Sequence, residues 1–441
     1  MKILFSLLII VPIASIAQKI EHKNDLINRG VHFEKQLTWQ QILDKAKEEK
    51  KYIFVDCFAS WCDPCRKMDV DVYPSDSVGF FMNAHFVCIK EQMDTSRNDD
   101  AEVKARYADA DFIRTVYQVN VYPTFLFLAP GGKIVHRGIG YLEPSDFIAL
   151  AKRASDPATQ YYTLLAAYRS GKSNYSTLPY LALSAEKFED LKLADSIAGD
   201  YFHNYLDKLS PIKICTQVNL KFVDNFVHVL TSKDKIFYCF LNYPALVDSC
   251  QHFPGLATKF ITIVAKNEEV TPAIAAAKKK GTEPNWRIMG LRIRHKFGSV
   301  YVDKNIIPAK VEWYKASRDW PQYAKYLVKR IDLLDLKELP NSVNNMLYLN
   351  NRAWEIFEYS NDREALKKAI IWTDRALEMT PKGTEGGGLD TKANLLYKLG
   401  YKEEALRLER VASKTASENV KALVQTNLQK MERGDPTWPI L

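Results

Sequence analysis

The chain has 441 residues, of which 47% are hydrophobic and 26% charged, and carries a formal charge of +8. That length and apolar content fit a large globular protein of about two or three domains, and seven cysteines are too few for a disulfide-framework protein of this size. The basic residues are interleaved with acids, and the run Lys278-Lys279-Lys280 has no basic stripe with stacking aromatics beside it; it reads as a solvated helix end, and no nucleic-acid partner is expected.

In chain order, Met1-Lys2 precedes an apolar core from Ile3 to Ile13, then the small residues Ala14, Ser15 and Ala17 in a cleavage-site pattern before Gln18. This predicts a secretory leader over 1–17, too short to span a bilayer comfortably, with no Cys after the cut to carry a lipid. An uncleaved anchor is the alternative. No later stretch is long and apolar enough to cross a bilayer, so the mature protein is expected to be exported, with no integral membrane segment.

Leu37 to Lys51 reads as an amphipathic helix with Thr38 as N-cap and Trp39, Ile42, Leu43 and Ala46 on one face. Tyr52 to Phe58 is an apolar run broken only by Asp56, the pattern of a fully buried strand in a parallel sheet. It leads through Ala59-Ser60-Trp61 to Cys62-Asp63-Pro64-Cys65, with Arg66, Lys67 and Met68 continuing as a helix. Two cysteines at such a turn put the first thiol over a helix N-terminus, where unpaired N–H groups and the dipole favour a thiolate. The second lies one turn along, close enough to close a small disulfide ring. Cys62 is therefore the expected nucleophile and Cys65 the resolving thiol. A structural zinc site normally needs a second ligand pair, and neither a second CxxC nor an HxxxH occurs. The expectation is no metal, and no cofactor other than a redox-active Cys62–Cys65 disulfide.

Val55 to Cys65, VDCFASWCDPC, resembles the active-site segment of the thioredoxin superfamily. The resemblance implies that Asp56, six residues before Cys62, is a buried carboxylate that serves the resolving thiol, and that Trp61 and Pro64 frame the substrate. Asp63 stands where Gly is usual; its charge beside Cys62 is expected to raise that thiol's pKa, so the family's redox poise does not transfer. After a turn at Tyr73-Pro74-Ser75-Asp76, Ser77 to Asn83 reads as a short helix and His85 to Lys90 as a strand. The end of that strand is similar to the thioredoxin strand whose lysine pairs with the buried carboxylate, which makes Lys90 the matching position; an ordinary strand-end lysine is the alternative.

Thr95 to Tyr117 is longer and more acidic than in a minimal thioredoxin. It reads as an enlarged helical connection, with Asn98-Asp99-Asp100 as a cap and a helix from Ala101 to Tyr107, that either shapes a substrate groove or is a plain surface insertion. Pro123 opens the apolar strand Thr124 to Leu128, and a proline there removes a ladder donor. By resemblance it is a cis-proline facing the CxxC pair, with the backbone of Tyr122 open to an extended substrate chain and Tyr122 helping to select partners. Ala129 to Lys133 is a hairpin turn, Ile134 to Gly140 an antiparallel return strand, and Glu143 to Arg153 ends in a last helix. The expected fold is an α/β thioredoxin-like domain over 18–154, a central mixed sheet flanked by helices. Over 33–154 it resembles exported thioredoxin-like proteins with a WCxPC motif.

From Asp156 onward strand signals nearly vanish, and Tyr161 to Tyr168, Ser176 to Phe188 and Asp190 to Leu206 read as helices. The expectation is a helical region over 155–349, with irregular repeats, followed by tetratricopeptide-like repeats and a tail over 350–441. Ala369, Ala376 and Pro381 match one such unit, begun near Asn350, and Ala405 after Gly400-Tyr401 a second, begun near Gly386. The two alanines are 36 residues apart against a usual period of about 34, and the glycine-rich joint 383–388 absorbs the difference. His203, His228, His252 and His295 are scattered singly and carry no catalytic constellation. Cys57 and Cys88 read as buried core thiols, while Cys215, Cys239 and Cys250 leave room for one structural disulfide without saying which.

Together these features predict a thiol–disulfide oxidoreductase, an exported, periplasmic reductase of protein or peptide disulfides recharged by an unidentified electron donor. The same residues run backwards as an oxidase or isomerase. The rival class is a redox-linked adaptor whose helical array recruits a dedicated envelope client.

Overall fold

The computed structural model describes residues 30–334, 336 and 339–439. The leader over 1–17 lies outside the described residues. The chain divides into two compact units between Leu209 and Ser210.

The first unit is built on a four-stranded mixed sheet of β1 (Tyr52–Phe58), β2 (Phe86–Gln92), β3 (Thr124–Leu128) and β4 (Ile134–Ile139), in the order β2-β1-β3-β4. β1 runs parallel to β2 and antiparallel to β3, which pairs antiparallel with β4. The apolar run of β1 therefore reports burial on both faces; only one of its two neighbours is parallel. Strand alternation sorts the side chains. Phe54, Cys88, Phe125 and Phe127 pack on one face against Met68, Val72, Tyr73, Val78, Met82 and Phe147. Ile53, Val55, Cys57, Ile89, Leu126 and Leu128 pack on the other against Ile42, Ala46, Ala110 and Ile113. Cys57 and Asp56 thus point to opposite faces, and Cys57 and Cys88 are buried thiols.

The helices that cover these faces are α1 (Trp39–Glu48), α2 (Asp63–Lys67), α3 (Asp76–His85), α4 (Ala101–Ala105), α5 (Tyr107–Val116) and α6 (Pro144–Ser155). Thr38 caps α1 in a capping box, its hydroxyl accepting from the Gln41 N–H while the Gln41 amide oxygen accepts from the Thr38 N–H at 2.8 Å. After α2 the helix widens into a π turn over Met68–Val72. Asp100 caps α4, as its Asn-Asp-Asp context suggests, but the connection then continues as the longer α5, whose Ala110 and Ile113 close the core against the sheet.

Three further helices, α7 (Tyr161–Arg169), α8 (Leu178–Lys187) and α9 (Leu191–Asn204), belong to the same compact unit as the sheet. The buried His136 of β4 ties them on. Its Nδ1 accepts from the Tyr161 N–H at 2.9 Å, and its Nε2 lies 3.4 Å from the Tyr180 hydroxyl.

Among its described residues the second unit is helical. Its long helices near the C-terminus come in pairs: Val343–Tyr359 with Arg363–Glu378, and Gly386–Leu399 with Lys402–Thr415, followed by Glu418–Arg433. Ala369, Ala376 and Ala405 are fully buried, where the small residues of a helix pair belong. The first of these helices starts at Val343, not near Asn350, because its opening turns keep Val343 and Leu347 exposed and the buried face begins only at Leu349. The glycine-rich joint is partly helical as well: a Cβ on Gly386 would strike the backbone of Ala416, so glycine is required for that close approach. Cys215, Cys239 and Cys250 are all thiols, and the Cys250 thiol donates to the Cys215 carbonyl at 2.6 Å.

Candidate active site

β1 delivers Cys62 to the start of α2, where it is the N-cap residue and its sulfur accepts from the Cys65 N–H at 3.1 Å. Cys62 and Cys65 are joined by a disulfide, with Cα atoms 5.3 Å apart, and both are nearly buried. Beside the buried sulfur pair stands Trp61, which is 66% exposed and meets Tyr122 edge-on, ring centroids 5.9 Å apart. Tyr122 also packs on the cluster of Ala59, Cys62 and Cys65. The Tyr122–Pro123 peptide is cis, and Pro123 is buried; its carbonyl accepts from the Gly140 N–H at 2.9 Å, which anchors the loop to the end of β4. Pro64 is placed differently. It sits exposed in the first turn of α2, where its fixed φ suits the helix start.

Asp63 bears on the electrostatics of Cys62. Its carboxylate is exposed and turned back to pair with Arg66, and Arg66 also donates to the Ser60 carbonyl at 3.0 Å. The loop between β1 and α2 is pinned from the other side by Asp94, which accepts from the Ser60 N–H at 2.8 Å and the Ser60 hydroxyl at 2.6 Å.

Asp56 is buried, and neither carboxylate oxygen meets a donor in good hydrogen-bonding geometry. The parallel register pairs Asp56 directly with Lys90, so both side chains leave the same face, and Lys90 Nζ stands 3.7 Å from Asp56 Oδ2. Lys90 is shared: it also pairs with Asp69 on the π turn, and it sits over the Phe58 ring at 4.8 Å. Burial pushes the Asp56 carboxyl up to about 6, against the opposing pull of Lys90 and the neighbouring Tyr73 hydroxyl, with Asp69 adding to the rise. Tyr73 is itself buried and raised for the same reason. A cavity of about 360 Å³ opens on this side, lined by Phe33, Phe58, Asp69, Lys90 and the ion pair of the buried Glu91 with the half-buried Arg106.

On the other side of the site the acidic connection forms the wall of a groove of about 300 Å³ that ends at Tyr122, with Asp94, Tyr107, Asp111 and Arg114 along it. Sequence reasoning singled out Asp56, Lys90, Trp61, Tyr122 and the cysteine pair, and they assemble in this one region. It passed over Asp69, Tyr73 and Asp94. The first carried a legible signal, since it lies one helical turn beyond Cys65; Tyr73 and Asp94 are brought in by loop paths that no periodicity reports. Among the described residues no group of three or more His, Cys, Asp and Glu side chains converges as a metal site would require.

The profile of the thioredoxin-like domain family matches residues 39–155. Thioredoxin H1 of Arabidopsis thaliana is 31% identical over 103 residues, which are 23% of this chain and 74% of that protein. The chain belongs to the thioredoxin family. Thioredoxin H-type 2 of Nicotiana tabacum is 29% identical over 124 residues, 27% of this chain and 86% of the relative. A solved structure of a candidate disulphide isomerase from Bacteroides thetaiotaomicron shares 29% identity, covers 29% of this chain and 93% of its own, and superposes with a TM-score of 0.24. This thioredoxin-family chain is a thiol:disulfide oxidoreductase with a CxxC pair, joined to a helical C-terminal region.

Proposed function

We propose that the protein is an exported reductase of protein disulfides, acting in the periplasm. The observation that carries the reading is the placement of Cys62 at a helix start between the exposed Trp61 ring and the cis Tyr122–Pro123 loop, with a buried carboxylate behind it. In the reduced form, the Cys62 thiolate attacks one sulfur of a substrate disulfide. A Cys62–substrate disulfide forms, the substrate S–S bond breaks, and the first substrate sulfur leaves as a thiolate that takes up a proton. Asp56 accepts the Cys65 proton through water, and the Cys65 thiolate then attacks Cys62 Sγ. The second substrate thiol departs, the Cys62–Cys65 disulfide closes, and two electrons have passed to the substrate. A dithiol donor reverses the last step and recharges the pair.

Tyr122, Pro123 and Trp61 would hold the extended substrate segment, the cis loop offering its backbone as a strand edge. Lys90 is the proposed partner that keeps Asp56 ionisable. An export leader over 1–17 agrees with a reductase working outside the cytoplasm. Three functional segments are proposed beyond it: the thioredoxin-like domain over 18–154, an irregular helical region over 155–349 and tetratricopeptide-like repeats from 350. The helical segments would engage a protein partner or client. The test is turnover of an insulin-type substrate with a dithiol donor. Cys62→Ser is expected to abolish catalysed reduction, and full activity in that variant would rule the mechanism out.

A further inference from the structure

The helix Trp286–Phe297 buries Met289, Ile293 and Phe297 against its own unit. At 3.6 residues per turn its opposite face centres on Ile288, Leu291 and His295. Ile288 is 47% and Leu291 51% exposed, and Val300, at the start of the next helix, is 61% exposed. Arg287 and Arg294 flank this apolar strip on one side and Arg292 on the other, all three exposed, and among the described residues none is paired with a carboxylate. The preceding helix, Thr271–Lys280, ends in the exposed Lys278, Lys279 and Lys280.

The acids of the neighbourhood are engaged elsewhere. Glu268 and Glu269 pair with Lys296, and Glu283 accepts from the Trp286 indole N–H at 2.6 Å and the Tyr314 hydroxyl at 2.5 Å. Between residues 278 and 304 the sequence carries eight cations and two acids, most of the chain's net charge of +8 within one surface stretch. A solvent-facing apolar strip with unpaired arginines on both flanks is the arrangement of a helix that lies in the headgroup layer, its side chains reaching to phosphates on either side. A stacking nucleic-acid surface would instead need outward aromatics.

We propose that the outer face of Trp286–Phe297, with the lysine end of the helix before it, binds the surface of a bilayer rich in anionic phospholipid. Binding is peripheral and reversible, since the apolar strip is short and the charges are solvated. It strengthens at low salt and fades as the Debye length shrinks. Such a contact would hold an exported oxidoreductase near membrane-borne donors or newly translocated clients.

The test is sedimentation of the full chain with vesicles of phosphatidylcholine alone, or of equal parts phosphatidylcholine and phosphatidylglycerol. The expected result is uptake by the mixed vesicles only, reversed by salt. Changing Arg287, Arg292 and Arg294 together to Gln should lower it about a hundred-fold, each basic residue near an anionic surface contributing roughly five-fold. Disulfide turnover of that variant should be unchanged, which separates loss of binding from loss of fold. Equal uptake by neutral vesicles, or an unaltered triple variant, would overturn the proposal. Leu291→Ser should also weaken vesicle uptake. If it does not, and soluble poly-glutamate binds as tightly as the mixed vesicles, the face is a site for an acidic polypeptide and the lipid assignment falls.

Discussion

At the scale of single residues, Asp56 near the cysteine pair is a carboxylate buried without a well-formed donor and only partly neutralised, because Lys90 is shared with Asp69. Burial is the largest influence on it and raises its carboxyl from 3.8 to about 6. A raised carboxyl binds its proton more tightly in the folded chain than in the unfolded one. The stability attached to it is therefore fully present below about pH 4 and is lost as pH rises toward 6. Asp56→Asn cannot ionise, so it should be more stable than the parent at pH 7 by about 2–3 kcal/mol in urea unfolding, at 1.36 kcal/mol per pKa unit. The same substitution removes the proposed proton acceptor for Cys65. Release of substrate from the Cys62 mixed disulfide should slow about a hundred-fold in quenched single-turnover assays, at the low end of general-base contributions. A variant that is less stable at pH 7, or that keeps the parent's rate, would show that Asp56 is an ordinary core polar group.

At the scale of elements, β4 does more than close the sheet, because His136 links it to α7 and α8. Nδ1 accepts from a backbone N–H, so the ring is neutral with its proton on Nε2. Burial, helped by the charge of Arg153, lowers its pKa from 6.5 to about 4. The sign is opposite to that of Asp56: stability is fully present above pH 6.5 and is lost as pH falls toward 4, by about 3 kcal/mol. Amide protection across α7–α9 should drop in that window, and His136→Gln should flatten the dependence; an unchanged pH slope in the variant would contradict the link. This tie was not legible in the sequence, where His136 sits in a strand that reads as an ordinary hairpin partner. What was legible came from local chemistry: the Thr38 N-cap, the cap at Asn98-Asp99-Asp100, the continuous apolar run of β1 and the proline before β3 each specify their own neighbourhood. Features that depend on chain segments far apart were not. The antiparallel pairing on one side of β1, the sharing of Lys90 with Asp69 and the Ser60–Asp94 tie arise when loops close, and no spacing encodes them. The early start of the helix at Val343 was hidden for a related reason, since exposed opening turns carry no apolar period.

At the scale of the whole molecule, a first unit in which residues 39–155, about a quarter of the sequence, match the thioredoxin-like domain family is joined to a helical unit with its own core. The division of labour follows from what each contains. The first unit holds the disulfide, the cis loop and the buried acid; in the second, the cores around Trp372 and around Ala405 are built for packing, and its basic outer helix for contact. The seven cysteines bear on this too, since the structure forms a disulfide at Cys62–Cys65 and leaves Cys215 and Cys250 as thiols, which places redox chemistry in the first unit. The direction of electron flow through the Cys62–Cys65 pair is a matter of its potential. Asp63 pairs with Arg66 at the surface, and a negative charge beside Cys62 disfavours its thiolate and with it the reduced form, which favours a reducing poise. The most direct test is the reduction potential of Cys62–Cys65, measured by equilibration with thiol buffers and trapping of the two forms. A value near the about −270 mV of thioredoxin is predicted for a reductase, whereas a value near the about −120 mV of a dedicated oxidant would contradict it.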